Sequence, residues 1–406
     1  MIVLAGGDIV LPDRILASAS LIVDQGRIAA IESASASPAG ATVVDVRDCY
    51  VVPGFIDVHV HGIEGQDTLD DGGAIGAIGA TGATGAIGGI ASRLPRYGVT
   101  AFCPTTVACS PRELRAVLDQ VGRARVHRPR GSARVLPAHL ESNFINPAYN
   151  GAQPRACLRL PDDQRGEGDF TGRDILRVIE AGRADVGIIT IAPELPGTLD
   201  LVPAFVRAGH RVSVGHSGAD FDEAIATIDA GARHATHLFN RMTPVTHRAP
   251  GLAGAVLSRE EVTAELICDG FHVHPAMSRV AIAAKGVHGV MAITDGTGGS
   301  GLPPGSTARL GGRSIRVSDQ AALLDDGTLA GSTLTMDRAF RNIVTMFQAS
   351  IADAAILCST TPARALGLTG FGVIAEGNAA DLVVLDRAFR VMRTFIEGEE
   401  IYTAAR

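Results

Sequence analysis

The sequence lacks an excess of positive charge, a long apolar run and closely spaced cysteine pairs, and each absence narrows the possible functions. Its 406 residues include 36 Lys and Arg against 43 Asp and Glu, which argues against nucleic acid and anionic membranes as partners. No apolar run reaches the roughly 18 to 20 residues of a membrane-spanning helix, and the segment after Met1 has no basic start that would indicate a signal peptide. Because none of the six cysteines forms a Cys-x-x-Cys pair, we expect reduced thiols and a cytoplasmic location.

Both ends of the chain have the pattern of short strands. Stretches such as IVLAGGDIVL near the N-terminus and DLVVLD near the C-terminus place apolar residues between Gly, Asp and Pro, as strands bounded by turns do. No long helical pattern interrupts the N-terminal part. We therefore predict one small β domain that residues 1–52 and 370–406 build together.

The middle of the chain, residues 53–369, alternates between apolar strand-like runs and helical patterns. One helical pattern, SPRELRAVLDQVGRAR, opens on Ser110 and Pro111 and carries apolar residues at i, i+3 and i+4 spacing. Apolar strands that alternate with helices indicate a parallel sheet covered on both faces. Eight such strands predict a closed (β/α)8 barrel, the TIM barrel, with an open doubly wound sheet as the alternative. The eight runs lie at 54–60, 99–106, 133–141, 186–194, 211–216, 234–240, 264–272 and 289–296.

The segment GGAIGAIGATGATGAIGGI repeats Gly at every third position from Gly73 to Gly88. Gly in a helix interior costs roughly 1 kcal/mol relative to Ala. The first barrel helix should nevertheless lie in this part of the chain. We therefore predict an irregular loop here, with regular helix beginning near Ile90.

Imidazole and carboxylate side chains stand at the C-terminal ends of five of the eight runs. Barrel chemistry takes place at this end of the strands, so these ligands should converge there. His59 and His61 alternate along the first strand and therefore share a face. Neighbouring imidazoles inside a barrel are hard to satisfy without a cation, and donors without a thiolate suit Zn²⁺ or a similar divalent ion. The candidate ligands are His59, His61, Glu141, His216, His237 and Asp295.

These motifs resemble those of a known superfamily. VVPGFIDVHVHG is similar to the opening of the amidohydrolase superfamily. The series HLE, GHS, ATHLFN, RAPGLAG, DGFHV, ITDGTGG and DGTLAGSTLTMD resembles, more narrowly, the N-acetylglucosamine-6-phosphate deacetylase family over nearly the whole chain. The resemblance implies a metal-dependent barrel with a small β-sandwich domain formed by both termini, and typically a homodimer. It also implies hydrolysis of N-acetylglucosamine-6-phosphate to glucosamine-6-phosphate and acetate.

The resemblance implies metal-binding roles for five of the candidates. Glu141, His216 and His237 match the main metal ligands of the family. His59 and His61 match the pair that binds a second ion in some members. One or two divalent ions are therefore implied, with Zn²⁺ as the first choice and Fe²⁺, Mn²⁺ or Co²⁺ as alternatives.

Asp295 matches the catalytic aspartate of the family. A divalent ion would activate a water molecule and polarise the amide carbonyl. Asp295 would accept the proton of that water and pass it to the departing amine. Arg248 and His272 match residues that hold the sugar phosphate, and Asn240 matches a substrate-contacting position. The implied partner is a small amino-sugar phosphate.

Several departures from the family pattern bear on the substrate. Ser142 and Asn143 replace a usual Gly-Pro after the metal-binding Glu, and Arg241 replaces a usual Ala. Gln153 stands where the family has a substrate-contacting His, and an amide cannot carry a proton charge as imidazole can. We expect all these positions to belong to the substrate side of the site. An amidohydrolase for a different N-acyl or cyclic amide is therefore the alternative function, and an inactive scaffold homologue is the third.

Overall fold

The computed structural model describes residues 1–32, 38, 40–70, 85–163, 169–318 and 320–405. The strands in these ranges, in chain order, are β1 (Ile2–Val10), β2 (Ile15–Asp24), β3 (Arg27–Glu32), β4 (Thr42–Asp45), β5 (Tyr50–Pro53), β6 (Phe55–Val60), β7 (Gly62–Ile63), β8 (Gln66–Asp67), β9 (Val99–Thr106), β10 (Arg134–Val135), β11 (Ala138–Leu140), β12 (Val186–Ile191), β13 (Arg211–Val214), β14 (His234–Ala235), β15 (Thr263–Ile267), β16 (Val290–Ile293), β17 (Thr307–Leu310), β18 (Arg313–Val317), β19 (Ala322–Leu323), β20 (Leu382–Leu385), β21 (Val391–Ile396) and β22 (Glu399–Thr403). The α-helices are α1 (Gly85–Arg93), α2 (Pro111–Val126), α3 (Gly172–Ala181), α4 (Thr198–Arg207), α5 (Phe221–Asp229), α6 (Gly251–Ser258), α7 (Pro275–Lys285), α8 (Met336–Thr345), α9 (Ile351–Ala355) and α10 (Thr361–Leu366).

Parallel strands form a nearly closed eight-position barrel. Their order is β6, β9, β11, β12, β13, β14, β15 and β16, with β10 paired to β9 just before β11. Main-chain hydrogen bonds connect the last position to the first: Asp295 N donates to His59 O at 2.9 Å, and His61 N donates to Gly296 O at 2.7 Å. The predicted (β/α)8 barrel is confirmed, and the open doubly wound alternative is wrong.

Two barrel strands end before the apolar runs that predicted them. Strand β13 ends at Val214 and β14 ends at Ala235, so His216 and His237 stand just beyond the strands. Both have left-handed backbones, with φ of 47° and 29°, and Asp295 after β16 has φ of 48°. Such conformations are costly for residues other than Gly and cluster at functional sites. These residues turn the chain out of the sheet at the barrel mouth.

The barrel helices begin where the sequence places capping residues. In α2, Ser110 Oγ accepts a hydrogen bond from Glu113 N at 3.3 Å, and the Glu113 carboxylate accepts from Ser110 N at 2.8 Å. This reciprocal pair satisfies two N–H groups that lack partners at a helix start. Leu114, Val117 and Val121 then face the core at helical spacing. The helix predicted from the Ser-Pro start is confirmed.

Helix α1 begins at Gly85, five residues before the predicted start near Ile90, so that prediction is wrong. The rest of the glycine repeat, residues 71–84, lies outside the described residues. Two contacts explain the early start. Ala86 N donates to Gln120 Oε1 at 2.9 Å, and Gly89 packs so closely on Gln66 that a Cβ would lie 2.5 Å from Gln66 Oε1. Because most of the helix is buried, packing outweighs the helix-breaking preference of Gly.

Strands from the two chain ends form a separate sheet, as the sequence predicts. Its order is β22, β21, β20, β5, β1, β2 and β3, with β4 paired to β1. Its core contains Leu4 and Leu21 from the N-terminal part and Leu382 and Phe395 from the C-terminal part. Neither end could bury these side chains alone. The exact boundaries 1–52 and 370–406 stay a prediction.

A third, three-stranded sheet follows the last barrel strand and was not anticipated from the sequence. It consists of β17, β18 and β19 and has its own apolar cluster, which includes Leu310 and Ile315. Val107, just after β9, belongs to the same cluster and attaches this sheet to the barrel. The insertion brings Leu310 to the barrel mouth.

No helix in the described ranges is long and apolar enough to cross a membrane.

Candidate active site

The six candidate ligands meet at the C-terminal ends of the barrel strands. Five of them line one pocket, and the sixth, His59, is completely buried beside them. They come from β6 and the residue directly after it, from the residues after β11, β13 and β14, and from the turn after β16. These segments are far apart in sequence and are brought together by barrel closure.

Glu141 is the centre of the cluster. Its Oε1 lies 2.7 Å from His216 Nε2 and 2.8 Å from His237 Nε2, and these two nitrogens are 3.0 Å apart. Burial raises the pKa of Glu141, but the charge and hydrogen bonds of His216 and the other imidazoles outweigh burial and hold it well below its usual range. The carboxylate is therefore ionised at neutral pH.

His59 and His61 form the second half of the cluster. Their Nε2 atoms are 3.2 Å apart, and both face Asp295 Oδ1, at 3.4 Å and 3.3 Å. His61 Nε2 also lies 3.4 Å from Glu141 Oε2. Burial lowers the pKa of both imidazoles, but the surrounding carboxylates outweigh it and raise the pKa to about 9 for His59 and about 10 for His61. The carboxylates of the cluster therefore stabilise positive charge on or between these imidazoles.

The donor atoms fit a divalent cation. The Nδ1 atoms of His59, His61 and His216 already face oxygen acceptors on Glu265, Thr105 and Tyr149, at 2.8, 3.1 and 2.8 Å. A neutral imidazole has only one N–H, so each Nε2 has a lone pair directed at its neighbours. Close Nε2 atoms beside carboxylates need either extra protons or a cation between them. Glu141 belongs to two groups of three residues whose donor atoms all lie within 4.8 Å of one another. One group adds His216 and His237, and the other adds His59 and His61.

Asp295 is held firmly beside this cluster. Its main chain donates to His59 O at 2.9 Å and accepts from Ser332 N at 2.8 Å. Burial raises its pKa, but the imidazoles of His59 and His61 outweigh burial and lower it. Asp295 is therefore an ionised carboxylate at neutral pH, with a fixed position from which it can accept a proton.

The Amidohydrolase family model matches residues 50–401, which is most of the chain.

The chain belongs to the amidohydrolase family.

Individual relatives extend this similarity. The chain is 32% identical over 382 residues to an N-acetylgalactosamine-6-phosphate deacetylase from Escherichia coli O157:H7, covering 93% of each chain. It is 30% identical over 398 residues to an N-acetylglucosamine-6-phosphate deacetylase from Bacillus subtilis (strain 168), covering 96% of this chain and 94% of the relative. A Mycobacterium smegmatis N-acetyl-D-glucosamine-6-phosphate deacetylase mutant, solved with N-acetyl-D-glucosamine-6-phosphate, superposes with a TM-score of 0.85 at 31% identity over 99% of both chains.

Two buried residues of this amidohydrolase site were missed in the sequence. Glu265 on β15 is fully buried, and its Oε2 accepts from His59 Nδ1 at 2.8 Å and from His237 N at 3.3 Å. His139 lies 3.6 Å from the other Glu265 oxygen, and its Nε2 contacts Thr190 Oγ1 at 2.8 Å. A lone Glu inside the apolar stretch TAELI, and a His two residues before Glu141, were the available signals.

The carboxylate of Glu265 fixes which nitrogen of His59 faces the cluster. Such partners typically contribute 10- to 100-fold to metal affinity because they orient the ligand and raise its basicity. We expect Glu265→Gln to weaken the binding of a divalent ion at His59 and His61 by roughly that factor. A titration against a competing chelator measures the affinity. Glu376→Gln, the same change at an exposed residue, is the matched control, and equal affinities of the two variants would contradict this role of Glu265.

The pocket also contains three of the four predicted substrate residues: Gln153, Asn240 and His272. Asn240 N donates to His237 O at 2.9 Å, which fixes the residue beside a cluster imidazole. His272 Nδ1 is bound to Asp269 Oδ2 at 2.6 Å. Burial lowers the pKa of His272, but the Asp269 carboxylate outweighs burial and raises it. The other ring nitrogen of His272, Nε2, does not contact Asp269.

Gln153 contacts the Glu141 side of the pocket. Its Oε1 accepts from Ala108 N at 2.7 Å, and its side-chain amide donates to Glu141 Oε2. Gln153 is buried, so this contact is shielded from water. Because Gln153 contacts Oε2, Glu141 Oε1 contacts only the imidazoles of His216 and His237 among these residues.

Arg248 is exposed and is not among the residues that line this pocket, so its predicted contact with the sugar phosphate stays a prediction. Ser142 and Asn143 do not line it either, and the expectation that they belong to the substrate side stays a prediction. Ser142 Oγ donates to Thr190 O at 2.5 Å, and Asn143 Nδ2 donates to Cys109 O at 2.8 Å and Cys157 O at 2.7 Å. Both side chains satisfy backbone carbonyls and support the loop after Glu141.

Proposed function

We propose that this amidohydrolase removes the acetyl group of an N-acetylated amino-sugar 6-phosphate, converting N-acetylglucosamine-6-phosphate into glucosamine-6-phosphate and acetate. The observation that carries the proposal is the buried cluster of Glu141, His216 and His237 beside the ionised Asp295, at the end of one pocket. Its donor set suits hydrolysis of an amide. The relatives of this chain that are named for this reaction support the choice of substrate.

Glu141, His216 and His237 would hold one divalent ion, and His59 with His61 would hold a second. Zn²⁺ is our first choice because the donors are imidazole and carboxylate with no thiolate, and Fe²⁺, Mn²⁺ or Co²⁺ are alternatives. When bound, such an ion acts as a Lewis acid on the amide carbonyl and lowers the pKa of water.

Asp295 would move the proton that the reaction requires. Its carboxylate accepts a proton from the attacking water and then delivers it to the amine nitrogen as the C–N bond breaks. Without that proton the amine is a poor leaving group. Main-chain hydrogen bonds of residue 295 to His59 and Ser332 hold its carboxylate beside the cluster. Asn240, Gln153 and His272 would position the sugar and its phosphate at the pocket mouth.

The substrate is tested by measuring acetate release with added Zn²⁺ from a panel of sugars. We expect the highest kcat/KM with N-acetylglucosamine-6-phosphate, and lower values with N-acetylmannosamine-6-phosphate and the unphosphorylated sugars. N-acetylgalactosamine-6-phosphate is the second candidate, because one relative is named for it. Release from no phosphosugar would contradict the proposal and favour a different N-acyl or cyclic amide. Protein that releases no acetate and binds no metal even after Zn²⁺ is added would instead favour the inactive scaffold.

We also propose a homodimer, as the resemblance to the deacetylase family implies, and a cytoplasmic location, as the absence of Cys-x-x-Cys pairs suggests. Light scattering of the purified protein measures the mass directly. A mass near that of one 42.0 kDa chain would contradict the dimer.

A further inference from the structure

Arg241 stands at the mouth of the pocket beside Asn240 and His272. It is the only Arg or Lys among the described residues that line this pocket. Its guanidinium forms no ion pair or side-chain hydrogen bond within the described part of the chain, and the residue is exposed. A guanidinium without an ion-pair partner among the described residues therefore lies at the exposed side of the pocket that contains the cluster.

The backbone holds Arg241 in place. Its φ is 52°, in the left-handed region, and its carbonyl accepts a hydrogen bond from Ser217 N at 2.9 Å. The preceding residue, Asn240, is bound to His237 O. A non-Gly residue in this conformation costs about 1 kcal/mol or more and persists only where its surroundings impose it. Arg241 is thus placed by the same turn that places the cluster residue His237.

The side chain of Arg241 rests on Gly151. A Cβ on Gly151, whose φ is 57°, would lie 3.0 Å from Arg241 Nε and 3.5 Å from its Cγ and Cδ. The loop that carries Gly151 is itself fixed, because Asn150 Nδ2 donates to Gly151 O at 3.0 Å and Arg313 Nη1 donates to Ala152 O at 2.9 Å. Glycine at position 151 allows both this backbone conformation and the close approach of the arginine.

The charges in the pocket leave an anionic substrate group with few alternatives. At the inner end the carboxylates of Glu141 and Asp295 face the imidazoles of the cluster, and His272 is paired with Asp269. Arg248 lies outside this pocket lining. A guanidinium presents several N–H donors in a plane that matches two oxygens of a phosphate.

We propose that Arg241 binds the 6-phosphate of the substrate and sets the preference for phosphorylated over unphosphorylated sugars. This inference rests on the proposed deacetylase function. In this role Arg241 contributes to substrate binding and takes no part in the proton transfer at Asp295.

The test compares Arg241→Gln and Arg241→Lys with wild-type protein on N-acetylglucosamine-6-phosphate and on N-acetylglucosamine. We expect Arg241→Gln to raise KM for the phosphosugar by roughly 10- to 100-fold, as for the loss of charged hydrogen bonds. We expect its kcat to change little, and kcat/KM for the unphosphorylated sugar to stay within about twofold of wild type. Arg241→Lys should lie between the two because it keeps the charge but loses the planar donor pair.

Arg341→Gln, the same change at an exposed residue of α8, is the matched control. The deciding quantity is the ratio of kcat/KM on the phosphorylated sugar to kcat/KM on the unphosphorylated sugar. If the wild type is active on phosphosugars and Arg241→Gln leaves this ratio unchanged, the role of Arg241 is overturned and the deacetylase function stands. A wild type that acts on no phosphosugar overturns the deacetylase function itself. Retention of that ratio by Arg241→Lys and its loss in Arg241→Gln would support a charge-based contact.

Discussion

Asp295→Asn will retain bound metal and lose about 10²- to 10⁴-fold in kcat, the usual contribution of a positioned acid–base group. Asparagine keeps the size of the side chain, and the main-chain bonds of residue 295 to His59 and Ser332 do not depend on the carboxylate. An amide cannot accept and return a proton at neutral pH. Acetate release measures kcat, and elemental analysis of the same sample measures metal content.

Asp45→Asn is the matched control for this variant, because Asp45 is an exposed residue whose carboxylate pairs with Arg47 on the surface. Its kcat should equal that of wild type. A near wild-type kcat for Asp295→Asn, with metal bound, would show that another group carries the proton. Loss of the metal in Asp295→Asn would instead show that Asp295 acts as a ligand, and the loss of kcat would then say nothing about proton transfer.

Glu141→Gln will lose the divalent metal and with it nearly all acetate release. The Glu141 carboxylate contacts both His216 and His237 through one oxygen and Gln153 through the other. Gln keeps the shape but removes the negative charge, which a cation site of neutral imidazoles needs. Because residues that only support ligands contribute roughly 10- to 100-fold to affinity, we expect a loss of more than about 100-fold here. Chelator competition measures it.

Glu376→Gln again serves as the control with the same chemical change at the surface. Circular dichroism of Glu141→Gln should match wild type, because the barrel core does not depend on this carboxylate. If Glu141→Gln bound metal with wild-type affinity, Glu141 would not be a ligand. The site would then have to be rebuilt around His59, His139 and Glu265, the third group of donors in the barrel.

The strands and the candidate ligands were predictable because both leave local patterns. Continuous apolar runs between helical segments indicated the barrel, and the alternation of His59 and His61 placed two imidazoles on one face. The helix at α1 was placed too late because local preference counts each Gly as a cost. The contacts of Gly89 with Gln66 and of Ala86 with Gln120 reverse that cost, and a propensity scale contains neither contact.

The sequence by itself determined the fold class and the family, and it predicted the six candidate ligands that the barrel brings together, since these depend on residue type and short spacing. Only the tertiary structure decided which groups touch. It joined Glu265 to His59 across 206 residues, directed Gln153 to Glu141, and left Arg241 rather than Arg248 in the pocket lining. The physical reason is that the spacing of apolar residues along the sequence indicates only which face of each helix or strand is buried. Contacts between elements depend on register, loop anchoring and left-handed turns, which the packing of the whole barrel imposes.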